Sequence, residues 1–124
     1  MSDELTRPDL NSDQWIEIEN GLMMWEEVKG DGPAVPSGAK VKVHYTGWLT
    51  DDKATVFDSS RSRGQTISFS LNGVITGWKQ GIPGLKPGGI RYLKIPGNMA
   101  YGAAGIPGVI PPNATLVFEV ELVK

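Results

Sequence analysis

Alternating apolar and polar residues run along most of this chain and predict β-strands rather than helices. In residues 114–123 every second position is apolar, and Glu119 and Glu121 stand between the apolar residues. Residues 40–49 begin with lysines that alternate with valines, so one face of this strand meets solvent at its start. The same pattern predicts further strands over residues 14–19, 22–28, 56–58, 66–71 and 89–95.

The first two predicted strands are separated by an Asn-Gly pair at positions 20–21. Such a pair between two apolar runs is a strong signal for a β-hairpin. Residues 14–19 are therefore a possible extra strand, whereas residues 1–13 show no periodicity and are expected to be disordered or loosely packed. We divide the chain into an acidic N-terminal extension, residues 1–20, and a domain of residues 21–124.

One segment alone, residues 74–82, resembles a helix. Thr76 is a candidate N-cap, and Gly81 and Pro83 limit the helix to about two turns. A helix this short that contains two glycines is not stable on its own. We expect it to be held by apolar side chains that pack on the sheet, namely Ile75, Trp78 and Ile82.

Composition favours a small β-rich domain with many turns. The 16 glycines and 9 prolines make up about 20% of the chain against a usual sum of about 12%, which argues against a helical bundle. The absence of cysteine excludes disulfides, thiolate zinc sites and cysteine nucleophiles. A chain of 124 residues buries roughly two thirds of its unfolded surface, enough for one domain with its own core.

The overall charge is close to balanced, with a formal net charge of −2. Most of the acidic residues fall within residues 1–31, which leaves a mildly basic remainder. This balance argues against non-specific nucleic-acid binding as the main role. The N-terminus lacks the basic-then-apolar order of a signal peptide, and no uncharged run is apolar enough to span a bilayer. We therefore expect a cytoplasmic monomer with no nucleic-acid or membrane partner.

Reactive side chains are few. His44, the only histidine, lies in the middle of a predicted strand, where a structural role is the more common one. Without a cysteine or a second histidine, nucleophilic catalysis has one conceivable base. No carboxylate spacing indicates a metal site, and the three glycines in residues 102–108 lack the lysine and context of a phosphate-binding loop. We expect neither a metal nor a cofactor.

Aromatic side chains are the candidate chemistry that remains. Six of them come from separate elements and could converge on one concavity or serve as core residues, namely Tyr45, Phe57, Phe69, Trp78, Tyr101 and Phe118. Two features favour a site. Trp78 lies in a weak, glycine-flanked helix, and residues 100–113 form a glycine- and proline-rich loop with apolar side chains.

Five blocks of residues resemble, in order, the FKBP-type peptidyl-prolyl isomerases. They are residues 43–47 (VHYTG), 57–60 (FDSS), 74–78 (VITGW), 100–102 (AYG) and 110–118 (IPPNATLVF). The resemblance covers residues 21–124. It implies an α+β fold in which a five- or six-stranded antiparallel β-sheet wraps around one short α-helix, with an aromatic cleft between helix and sheet.

The resemblance also implies roles for individual side chains. The catalytic ones would be Asp58, Tyr101, Trp78, Tyr45 and Phe57, with Trp78 as the floor of the cleft. Substrate binding would add Arg63, Ile67, Val74, Ile75, Ile106, Val109, Ile110 and Phe118. Arg63 would neighbour Asp58 and hold its orientation, although Asp58 could equally cap a turn.

Four positions depart from the family's pattern. Ile67 and Met99 stand where members often carry an aromatic residue, and Ile106 stands where histidine is frequent. Gly73 occupies a position that is often acidic. The first three leave the rim of the cleft more apolar and more pliable. They bear on substrate preference and on affinity for macrolide inhibitors.

The implied activity is acceleration of cis-trans exchange about X-Pro bonds without a covalent intermediate. Rotation must overcome a barrier of about 18–20 kcal/mol from amide resonance, and it needs no nucleophile or metal. The partners would be proline-containing peptides and proteins, and macrolide inhibitors of the FKBP class. The same cleft could instead serve a proline-recognising binding module or folding helper with little turnover, and the sequence does not separate these functions.

Overall fold

Within residues 6–123, the part of the chain that the computed structural model describes, seven β-strands and two short α-helices are present. In chain order they are β1 (Ile16–Glu19), β2 (Leu22–Val28), β3 (Lys40–Leu49), β4 (Val56–Ser59), α1 (Ser60–Arg63), β5 (Ile67–Ser70), α2 (Thr76–Gly81), β6 (Ile90–Ile95) and β7 (Leu116–Leu122). A 3₁₀ turn follows β6 at Gly97–Met99. Neither α-helix in this part of the chain is long enough to cross a membrane.

All the strands pair antiparallel in one sheet, in the order β1-β2-β6-β7-β3-β4, and β5 also pairs with β3. Strands β4 and β5 lie on the same edge of β3, one after the other, because β7 occupies the opposite edge. This architecture confirms the predicted antiparallel sheet. Its seven strands match the seven segments that alternation predicts and exceed the five or six that the family resemblance implies, in part because the N-terminal extension adds β1.

Helix α1 is a second correction, since residues 74–82 are the one segment expected to be helical. Ser59 caps this single turn by accepting a hydrogen bond from the Ser62 amide at 3.2 Å. Gly64 ends the turn in the left-handed conformation, with φ of 71°. The two caps explain how so short a segment becomes helical.

The hairpin of β1 and β2 turns at Asn20 and Gly21, as the Asn-Gly pair predicts. Their φ angles are 52° and 90°, and two positive φ values in a two-residue loop define a type I′ turn. The Glu17 carboxylate accepts a hydrogen bond from the Gly21 amide at 3.0 Å. The turn places β1 at the outer edge of the sheet.

The chain before β1 also has defined contacts, although residues 1–13 are expected to be disordered or loosely packed. Residues 6–15, here called the N-terminal strap, lie on the outer face of the sheet. Trp15 forms a hydrophobic cluster there with Trp48 and Val117, and Leu10 packs against it. These apolar contacts hold the strap in place. Residues 1–5 and 124 lie outside the described residues.

Helix α2 lies directly on β6 across the inner face of the sheet. A Cβ atom at Gly77 would lie 2.6 Å from Ile95 Cδ1, and one at Gly81 would lie 2.7 Å from Leu93 Cδ2. Only glycine allows so close an approach of backbone to side chain. The predicted N-cap Thr76 is instead the first helical residue, and no side chain caps the helix.

Arg91 ties the C-terminal end of α2 to the sheet. Its buried guanidinium donates from Nη1 to the carbonyl oxygens of Gly81 at 2.8 Å and Pro83 at 3.1 Å. Its Nη2 lies 3.2 Å from Oε2 of Glu26 on β2. A cation near the carbonyl end of a helix complements the helix dipole. Tertiary contacts therefore hold a helix that its own sequence could not sustain.

Replacing Gly77 with alanine tests the close packing of α2 on β6. We expect Gly77→Ala to lower the free energy of unfolding by about 1–2 kcal/mol, since overpacking against Ile95 outweighs the helix propensity of alanine. Urea unfolding followed by tryptophan fluorescence measures the change. Gly73→Ala is the matched control, because a Cβ there would meet no atom closer than 3.7 Å. Equal stability of wild type and Gly77→Ala would contradict the packing.

Candidate active site

A cavity of about 320 Å³ opens between α2 and the inner face of the sheet. Its lining comes from six parts of the chain: strands β3, β4, β5 and β7, the segment around α2, and the loop before β7. The lining residues are Tyr45, Phe57, Asp58, Phe69, Gly73, Val74, Ile75, Trp78, Tyr101 and Phe118. Apolar and aromatic groups predominate, as is usual for small-ligand pockets.

Trp78 is 4% exposed and forms the floor of this cavity. Three aromatic rings surround its indole nearly at right angles: Tyr45 at 5.2 Å, Phe69 at 5.2 Å and Phe118 at 5.4 Å between centroids. Perpendicular pairs place the positive edge of one ring against the negative face of another. The floor is therefore a rigid apolar surface that exists before any ligand binds.

Phe57 forms one wall, and its position depends on Gly47 in the neighbouring strand β3. A Cβ at Gly47 would lie 2.5 Å from Phe57 Cζ and 2.9 Å from Phe118 Cε1. The two phenylalanine rings meet edge to face at 5.6 Å. A side chain at position 47 would therefore push both rings from the cavity wall.

Asp58 is the one charged group of the lining, and both its oxygens are engaged. The Tyr45 hydroxyl donates to Oδ2, and Arg63 Nη1 donates to Oδ1 at 2.6 Å. Burial alone raises the pKa of Asp58, but the hydrogen bonds from Tyr45 and Arg63 outweigh it and hold that pKa below its ordinary value of 3.8. Asp58 is therefore a paired carboxylate at neutral pH and a poor general base.

The buried indole N–H of Trp78 has no hydrogen-bond partner within residues 6–123. The Tyr101 hydroxyl and the backbone amide of Ile75 are also without a partner in this part of the chain. Burial, together with the charge of Asp58, raises the pKa of Tyr101 above its ordinary value of 10, so the hydroxyl keeps its proton. The Tyr101 hydroxyl and the Ile75 amide are therefore available to donate to a carbonyl oxygen of a ligand.

The structure brings most of the predicted site residues to this cavity. Five predicted substrate-binding residues lie outside the lining: Arg63, Ile67, Ile106, Val109 and Ile110. The side chain of Arg63 is 45% exposed and is connected to the cavity through its ion pair with Asp58. Ile67 is half-buried on β5 and packs against the larger hydrophobic cluster of the protein, which includes the buried residues Val43 and Leu122. The role of the five residues in substrate binding stays a prediction.

The loop of residues 100–113 explains why three of those side chains lie elsewhere. Ile106 and Ile110 exchange backbone hydrogen bonds of 2.9 and 2.8 Å, and the Asn113 amide donates to the Gly102 carbonyl at 2.8 Å. This closed loop turns Ile110 into the core and leaves Val109 45% exposed. Tyr101 is the member of the loop that lines the cavity.

Phe69 and Gly73 line the cavity but are absent from the predicted site residues. Phe69 alternates with polar neighbours in β5, a signal that fits a core residue and a cavity wall equally well. The sequence feature that could have identified Phe69 as a cavity residue is its place among the six aromatic residues that could converge on one concavity. Gly73 carries no side chain, so its place at the rim follows only from the path of the backbone before α2. His44 pairs with Ser60 at 3.0 Å and does not line the cavity.

Comparison with known proteins agrees with this geometry. The sequence model of the family described as FKBP-type peptidyl-prolyl cis-trans isomerase matches residues 32–123. An FK506-binding protein of Neisseria meningitidis serogroup B is 50% identical over 106 residues, covering 84% of this chain and 95% of that protein.

Two solved structures resemble the fold closely. A peptidyl-prolyl cis-trans isomerase from Pseudomonas syringae pv. tomato aligns with a TM-score of 0.82 and 34% identity, over 92% of this chain and 82% of that one. FkpA from Escherichia coli aligns with a TM-score of 0.83 and 42% identity, over 92% of this chain and 52% of that one. The chain belongs to the family of FKBP-type peptidyl-prolyl cis-trans isomerases, which confirms the family, fold and enzyme class that its motifs imply.

The paired state of Asp58 predicts how stability depends on pH. A lowered folded-state pKa means that the carboxylate stabilises the fold above its ordinary pKa, and that this contribution is lost as pH falls through the lowered value. We expect Asp58→Asn to be less stable than wild type at about pH 7, with the difference shrinking below about pH 4. Urea unfolding across this range measures it.

Asp52→Asn is the matched control, because Asp52 is an exposed aspartate in the turn before β4. Its stability should follow wild type at every pH. A deficit of Asp58→Asn that stays constant down to about pH 2.5 would show that the charge of Asp58 is not what stabilises the site.

Proposed function

We propose that the cavity binds the prolyl segment of peptides and proteins and accelerates rotation about the X-Pro bond without forming a covalent bond. The observation that carries this proposal is the combination of a rigid aromatic floor with two unpartnered donors at its side, the Tyr101 hydroxyl and the Ile75 amide. Trp78 and its perpendicular neighbours offer a flat apolar surface for a proline ring. Tyr101 and Ile75 offer donors to the carbonyl beside it.

The chemistry of rotation suits such a cavity. A planar amide is more charge-separated than a twisted one, so an apolar surrounding favours the twisted transition state. A donor that holds the substrate carbonyl selects one rotation geometry. Each 1.36 kcal/mol of preferential binding to the transition state is worth about tenfold in rate. Modest differences in binding are therefore enough for a useful acceleration.

Within this proposal each polar group has a defined part. Trp78 packs under the proline ring, and Tyr101 Oη or the Ile75 amide donates to the substrate carbonyl. Asp58 orients Tyr45 and Arg63 and takes no proton, because both its oxygens already accept hydrogen bonds. The reaction needs no general base, since no proton moves when the bond rotates.

Replacing Tyr101 with phenylalanine tests the donor. We expect Tyr101→Phe to lower kcat/KM by about threefold to tenfold, the worth of one hydrogen bond made mainly in the transition state. Exchange spectroscopy by NMR on an X-Pro peptide measures the rate. Tyr92→Phe, on the outer face of the sheet, is the matched control and should behave as wild type. Unaltered turnover in Tyr101→Phe would remove the hydroxyl from the mechanism.

The pH dependence of the rate gives an independent test. The pKa of Asp58 is lowered and those of Tyr45 and Tyr101 are raised, the tyrosines mainly by burial. We therefore expect kcat/KM to be constant between about pH 6 and about pH 9, because none of these groups changes charge there. A bell-shaped profile centred in this range would indicate general acid–base catalysis and contradict the proposal.

An isomerisation assay distinguishes an enzyme from a proline-recognising binding module. It uses peptides with different residues before proline, with and without a macrolide. We propose that macrolide inhibitors of the FKBP class compete for the same cavity, because their apolar bodies need the surface that Trp78 provides. Rate enhancement that the macrolide suppresses supports this. Peptide binding with no rate increase at micromolar protein would favour a proline-recognising module.

A further inference from the structure

The N-terminal strap, residues 6–15, lies outside the family match but is attached to the sheet by polar contacts as well as by its apolar cluster. Lys94 Nζ donates to the Leu10 carbonyl at 3.0 Å and lies 5.0 Å from the centroid of the Trp15 ring. The Trp15 indole N–H donates to the Asp9 carbonyl at 2.9 Å. These contacts hold the strap along a fixed path.

The strap reaches the turn between β3 and β4 through Arg7. Its Nη1 donates to the carbonyl oxygens of Leu49 and Asp51, each at 2.7 Å. The Arg7 side chain is only 16% exposed. Hydrogen bonds from a charged donor are stronger than neutral ones, and partial burial protects them from competing water. Arg7 therefore bridges the end of β3 and the start of the turn.

Asp51 organises that turn from within. Its carboxylate accepts hydrogen bonds from the Thr55 amide at 2.9 Å and the Thr55 hydroxyl at 2.5 Å, and its carbonyl accepts one from the Ala54 amide at 3.2 Å. Ala54 has a φ of 50°, an uncommon conformation for a residue with a side chain. A turn with such strain persists only when its surroundings hold it, and Arg7 holds Asp51 from outside.

The turn leads directly into the cavity wall. Strand β4 begins at Val56, so Phe57 and Asp58 follow within three residues of Thr55. The pairing of β4 with β3 also shifts register between Gly47 and Trp48, and such a shift re-aims the neighbouring side chains. A change in the turn would therefore move both cavity residues.

We propose that Arg7 is a positioning residue for the isomerase site. By holding the Leu49 and Asp51 carbonyls it fixes the turn, and the turn sets the register of β4 that aims Phe57 and Asp58 at the cavity. Only the activity readout of this inference rests on the proposed function, because the positions of Phe57 and Asp58 can be measured independently.

The test compares Arg7→Ala, Arg7→Lys and Lys53→Ala in the full chain. Lys53→Ala is the matched control, since it removes one exposed cation from the same turn. We expect Arg7→Ala to speed amide exchange at Ala54 and Thr55 about tenfold and to shift the NMR signals of Phe57 and Asp58. Its kcat/KM, measured far below the melting temperature, should fall severalfold. Arg7→Lys should be intermediate and Lys53→Ala unchanged.

Distinct outcomes would overturn the inference. Unchanged amide exchange at Ala54 and Thr55, together with unchanged NMR signals of Phe57 and Asp58, in Arg7→Ala would show that the turn does not depend on Arg7. Faster amide exchange throughout the sheet would show that the variant is destabilised as a whole. Faster amide exchange in the turn alone, with no effect on Phe57, Asp58 or kcat/KM, would show that Arg7 makes a purely structural contact. If Arg7→Ala fails to fold, Arg7→Lys is judged by the same readouts.

The same experiment separates this inference from the proposed function. If wild type itself does not accelerate cis-trans isomerisation about X-Pro bonds, the proposed function fails. The amide exchange rates at Ala54 and Thr55 and the NMR signals of Phe57 and Asp58 then still decide whether Arg7 positions the cavity wall.

Discussion

The cavity depends above all on how closely α2 lies on the sheet. Gly77 and Gly81 let the helix backbone rest on Ile95 and Leu93, at distances that any side chain on the helix would prevent. This approach brings Trp78 down onto the inner face, where three rings fix its orientation. A helix that stood farther from the sheet would lose those edge-to-face contacts and leave no flat floor.

The electrostatics of the cavity follow from the same compactness. Asp58 is the charged member of the lining, and its charge is matched by Arg63 and a hydrogen bond from Tyr45. The cavity therefore presents a largely apolar interior, and its donors without a partner among the described residues include the Tyr101 hydroxyl, the Ile75 amide and the Trp78 indole N–H. Each donor acts more strongly in such surroundings than in water, and this is how a site without a nucleophile can still discriminate between geometries of one bond.

Much of the fold was predictable from local patterns, and the errors have specific causes. Alternation located the strands, and the Asn-Gly pair located the first hairpin, because both signals arise from residues near in sequence. Helix α1 was missed because its stability comes from two end caps rather than from periodicity. Most of the cavity lining was predicted by family motifs, whereas for Phe69 the sequence left a core position and a cavity position open. Ile106 and Ile110 lie outside the lining. These positions depend on how β5 and residues 100–113 fold back.

The sequence by itself determined which segments are strands, where helix α2 lies and which aromatic residues are available to a site. These properties depend on near neighbours and on side-chain type. Only the tertiary structure decided which rings meet, that Ile110 turns into the core while Tyr101 lines the cavity, and that Arg7 reaches a turn more than forty residues away. Such contacts join distant parts of the chain and depend on strand order and register, which alternation of apolar and polar residues does not specify.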